Sequence, residues 1–66
     1  MSVAKVIEIS STSDESFEDA IRRGIDKVEK TLHGVKGAWI AEQKVDVEHG
    51  KIVAYRVIMR ISFVLD

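Results

Sequence analysis

Two guanidinium groups, an indole and a primary amide recur at a spacing that a pair of strands would bring together. Arg56 and Arg60 stand in a run whose even positions are Ile52, Ala54, Arg56, Ile58, Arg60, Ser62, Val64 and Asp66, and upstream lie Trp39 and Gln43. Successive strand side chains alternate between faces, so each set shares one face. A two-residue turn at His49-Gly50 pairs Glu48 with Lys51. It then sets Gln43 opposite Arg56, Ala41 opposite Ile58, Trp39 opposite Arg60 and Gly37 opposite Ser62. An indole can stack on a planar ring, an amide can satisfy a ring-edge donor and acceptor, and an arginine can meet a phosphate. The same residues also fit a plainer role. Trp39 would cover a subunit interface and stack on Arg60 by cation–π contact, while Arg56 pairs with a neighbour's carboxylate.

Other chemistry is sparse. Glu42, Asp46 and Glu48 lie on one side of a strand, which reads as solvated surface or as a weak calcium site shared between subunits. His33 and His49 are far apart and the chain has no cysteine, so no transition-metal site is expected. The chain carries no P-loop, GxGxxG turn or Gly-x-Ser-x-Gly elbow, and no enzyme activity is expected of it. Ten Lys and Arg balance eleven Asp and Glu, a net charge of −1, which excludes the basic footprint of a nucleic-acid binder. The start, Met1-Ser2-Val3-Ala4-Lys5, does not resemble a secretory signal, and no apolar run reaches membrane-spanning length. A cytoplasmic location is expected.

The elements that must position these residues are few. Val3 to Ser10 is β-branched and predicts a first strand, with Val3, Ile7 and Ile9 on one side. Ser10-Ser11-Thr12-Ser13 then signals a helix start: Thr12 or Ser13 as cap, and Thr12-x-x-Glu15 as a capping box. A helix is expected from about Asp14 to Leu32, with Phe17, Ala20, Ile21, Gly24, Ile25, Val28 and Leu32 on one stripe. Glu18–Arg22, Asp19–Arg23 and Asp26–Lys30 are expected as solvated surface pairs. Gly34 suits a left-handed helix end. A second strand from near Gly37 to Glu48 and a third after Gly50 complete the order, the third with Val53, Tyr55, Val57, Met59, Ile61, Phe63 and Leu65 toward the core. The fold expected is α+β, a βαββ subunit in which a three-stranded antiparallel sheet wraps one helix, residues 1–66 forming one domain.

So short a chain has little stability of its own. Folding buries roughly 60% of its surface, which contributes on the order of 100 kcal/mol. Ordering 66 residues costs about the same at about 1.5 kcal/mol each. With no disulfide available, association must supply the rest, and an oligomer is expected.

At this point the chain resembles a dodecin. The resemblance rests on Lys5-Val6-Ile7-Glu8-Ile9 followed by Ser11-Thr12-Ser13, on Lys30-Thr31-Leu32 at the helix end, and on Tyr55-Arg56-Val57 with Ile61-Ser62-Phe63-Val64-Leu65 at the close. It implies a hollow homododecamer of βαββ subunits. Many such shells hold riboflavin, FMN or FAD between subunits as a store or buffer, and coenzyme A is associated with some. It also implies a flavin-stacking tryptophan six residues after the threonine matching Thr31, where this chain has Gly37, and a ring-edge glutamine where it has Arg56. Trp39 lies two positions further on, on the same face and about 7 Å away. Ala41-Glu42-Gln43 and Tyr55-Arg56 resemble a branch without the signature tryptophan, some of whose members are linked to calcium. The expected ligand is therefore a flavin held by Trp39, Gln43, Arg56 and Gly37. The alternatives are a shell that binds calcium or another small molecule, and a purely structural oligomer.

Overall fold

A computed structural model describes residues 3–65. Met1, Ser2 and Asp66, the last of the even-numbered series, lie outside the described residues. The elements run β1 (Ala4–Ser13), α1 (Phe17–Leu32), β2 (Val35–Glu48) and β3 (Lys51–Val64). The sheet is antiparallel with order β1-β3-β2, so the closing strand is central, as its two-sided apolar content requires.

The odd-numbered side of β3 forms the core: Val57, Met59, Ile61 and Phe63 are buried against Ala20 and Val28 of the helix. Ile7, Ile9, Phe17, Ile21, Ile25 and Val35 pack around them. Phe17 meets Tyr55 edge-on, with ring centroids 5.2 Å apart. At the other end of the sheet His49 and Gly50 both have positive φ, 52° and 76°, the conformation a two-residue turn demands.

The helix entrance differs from expectation. β1 continues through Ser13, with Thr12 paired to Arg56 of β3, so Thr12 is committed to the sheet and cannot cap the helix. Ser16 is the cap, and its hydroxyl accepts from the Asp19 N–H at 2.9 Å. Ser13 is buried; its hydroxyl accepts from the Glu15 N–H at 2.9 Å and donates to the Asp19 carboxylate at 2.6 Å. Glu15 reaches Arg23 instead of completing a box with Thr12. Of the expected helix-surface pairs, Glu18–Arg22 and Asp19–Arg23 form, at 2.9 and 2.7 Å. At the exit His33 is the cap, and Glu29 accepts from the N–H groups of Gly34 and Val35 at 3.1 and 3.0 Å, which ties the helix end to the start of β2.

Candidate ligand-binding face

The side of the sheet turned away from the helix is built from rows that cross all three strands. One row is Glu8, Arg60 and Trp39; a second is Val6, Ser62 and Gly37; a third is Thr12, Arg56 and Lys44. Trp39 therefore lies opposite Arg60, and Gly37 opposite Ser62, as the turn at His49-Gly50 implies. The indole is 50% exposed. No cation–π contact forms among the described residues: the Arg60 Nε–H donates to Glu8 at 3.3 Å, away from the ring. Gly37 is not strained, and its carbonyl accepts from the Ser62 hydroxyl at 3.3 Å.

Gln43 does not join this face. Pairing slips by one residue between Asp46 and Val47 and returns between Ile40 and Glu42, because Val53 is extra in β3 and Ala41 is extra in β2. Between the two bulges Lys44, not Gln43, is opposite Arg56, and Glu42, not Ala41, is opposite Ile58. Gln43 pairs with the buried Val57 and so sits on the helix side of the sheet. The face gains three charged groups in exchange, Glu42, Lys44 and Asp46. Neither bulge is marked by a glycine or proline, so the sequence carries no local sign of either.

Arg56 is already engaged. Its Nη2 donates to Asp46 at 2.9 Å, and the same carboxylate lies 3.8 Å from the Lys44 ammonium. Its Nε is sealed from solvent without an acceptor. Like charges directly opposite on neighbouring strands repel, and Asp46 offsets that cost at the Lys44–Arg56 pair. The result is an open face with one accessible ring, Trp39, flanked by hydroxyls and internally matched ion pairs. Among the described residues no group of three or more acidic, histidine or cysteine side chains is placed to hold a metal, and no helix is long and apolar enough to cross a membrane.

The dodecin family model matches residues 3–66. The chain belongs to the dodecin family. Dodecins are small ligand-binding proteins, and the βαββ architecture here is theirs. Among curated proteins, calcium dodecin of Mycobacterium tuberculosis is 32% identical over 63 residues, which are 96% of this chain and 89% of that one. Among solved structures, a dodecin from Streptomyces davaonensis superposes with a TM-score of 0.91 at 32% identity, covering 98% of this chain and 96% of its own. The crystal structure of the Mycobacterium tuberculosis calcium dodecin, described as a calcium-chelating antigen with a novel calcium-binding site, superposes with a TM-score of 0.83 at 32% identity. It covers 97% of this chain and 91% of its own.

Proposed function

We propose that this chain assembles as a dodecin-type homododecamer in the cytoplasm and binds a flavin (riboflavin, FMN or FAD) between subunits, as a store or buffer with no catalysis of its own. The observation that carries the reading is Trp39, an indole half exposed on the open sheet face and not used by Arg60. A large aromatic left bare among polar groups suits a planar ring that stacks on it. Gly37 and the Ser62 hydroxyl lie one row along, where a ring edge would rest, and Arg56 bounds the far end of the site. Gln43 takes no part. Riboflavin added to the purified protein at micromolar concentration should lose its fluorescence, and Trp39→Ala should restore the signal while the assembly persists. Unquenched riboflavin with the wild-type protein sinks the reading.

A second reading has its own support. A relative of 32% identity is named for calcium, and Glu42 and Asp46 share the candidate face with Glu8. Carboxylates from neighbouring subunits could together supply the oxygen ligands that calcium takes. Calorimetry with calcium, before and after chelation, tests it: heat that saturates with calcium and vanishes with chelator supports this reading, and no heat removes it.

A further inference from the structure

From the Trp39 row to the Asp46 row, the face holds three acids, Glu8, Glu42 and Asp46, and three bases, Lys44, Arg56 and Arg60. Both guanidinium groups are spoken for: Arg60 by Glu8, and Arg56 by Asp46, which also lies next to Lys44. We propose that Asp46 is a specificity-determining residue that holds the Arg56–Lys44 pair as an internal counter-ion, so that the site takes an uncharged planar ligand in preference to its phosphorylated form. The inference rests on the flavin reading and deepens it.

The argument is electrostatic and geometric. The Arg56 row lies about 13 Å along the strand from the Trp39 row on the same face, in the direction a side chain of a stacked ring can extend. The bases a phosphate could approach there are Arg56 and Lys44. A phosphate that takes the Nη2 donor must displace the Asp46 carboxylate at 2.9 Å, and one that approaches the remaining Arg56 and Lys44 donors comes to rest beside that carboxylate and is repelled by it. On displacement Asp46 keeps only the more distant Lys44 ammonium, at 3.8 Å, beside a doubly charged group. The buried Nε offers no alternative, since neither solvent nor a ligand oxygen reaches it in this conformation. A neutral ring meets none of these costs. Arginine in place of the family's ring-edge glutamine suggests an anion site from sequence alone, and Asp46 reverses that reading.

Riboflavin and FMN, which share the ring and differ by the phosphate, are the probes. Fluorescence quenching is titrated for each with the wild-type protein and with Asp46→Asn, at matched ionic strength, and assembly is checked by size-exclusion chromatography. The wild type should bind riboflavin more tightly than FMN. Asp46→Asn should shift the ratio toward FMN by about three- to fivefold, the worth of one partly exposed ion pair. Equal or tighter FMN binding by the wild type overturns the inference, as does an unchanged ratio in an assembled Asp46→Asn. If that variant fails to assemble, Asp46→Ser and the wild-type ratio decide. Quenching of neither flavin fails the flavin reading itself, a result distinct from quenching that favours FMN.

Discussion

Ser13 and Asp19 show how one buried hydroxyl sets the behaviour of a charged side chain. The hydrogen bond from Ser13, with the Arg23 guanidinium beside it, holds the Asp19 carboxyl below its ordinary value of 3.8, against a smaller opposing cost of desolvation. A carboxyl whose folded value is depressed contributes stability that is fully present above its unfolded value and disappears as pH falls through the lower folded one. Asp19→Asn should therefore lower the urea midpoint at neutral pH, and the gap to wild type should close below about pH 4. Ser13→Ala should reproduce the loss, because it removes the hydroxyl that lowers Asp19 and also the acceptor for the Glu15 N–H. A gap of constant size from neutral pH down to roughly pH 2.5 would show that the carboxylate's charge is not what stabilises this corner.

The helix meets the sheet most closely at Gly24. A Cβ built there would stand 2.5 Å from the Met59 methyl and 3.2 Å from Ile9 and Ser11 side-chain carbons. Met59 is completely buried, so its methyl can yield only by rearranging among packed neighbours. Gly24→Ala should cost about 1 to 3 kcal/mol through overpacking, against a gain of up to about 1 kcal/mol in helix propensity. A net loss in chemical denaturation is expected, and a gain would show that the element spacing is set elsewhere. The position was legible in the sequence, as a glycine inside an apolar stripe. So were the alternation Val57, Met59, Ile61, Phe63 and the turn at His49-Gly50, because each depends on a periodicity or a backbone conformation that residue types report directly. The bulges at Ala41 and Val53 were not legible, since they depend on how β2 must bend to follow β3 and no residue type announces it. Trp39 and Gly37 kept their places because the second bulge cancels the first, whereas Gln43 lies between them and changed sides. The cap moved from Thr12 or Ser13 to Ser16 for a related reason: pairing with Arg56 and Tyr55 claimed both residues for the sheet, long-range contacts outside any local signal.

As a whole the subunit is too extended to stand alone. Its radius of gyration is 13.6 Å, where a compact chain of this length has about 11 Å. It measures 51 × 20 × 13 Å. Its exposed surface is 4841 Å², against about 4,200 Å² for a compact monomer of this mass. The cause is a mismatch of lengths: a 16-residue helix covers part of a hairpin whose strands have 14 residues each. A helix of that size is about 24 Å long, and such a strand about 46 Å. At the turn end the uncovered sheet bares Val47 and Ile52, cross-strand partners that are 56% and 53% exposed. At the other end Leu32, Phe63, Val64 and Leu65, with Lys5 and His33, line an open pocket of about 230 Å³. Apolar side chains bared at both ends of a small domain are what a closed assembly would cover. Sedimentation equilibrium should return a large discrete oligomer, and the melting temperature should rise with protein concentration, since association stabilises the folded chain by mass action. Ile52→Asp sets a charge in the exposed hairpin patch without touching the core or Trp39, so it should yield smaller species that melt lower. Arg22→Ala, on the solvated helix surface, should leave the assembly intact. A wild-type chain that sediments as a monomer at micromolar concentration, with a melting temperature independent of concentration, would refute the assembly and any ligand site shared between subunits.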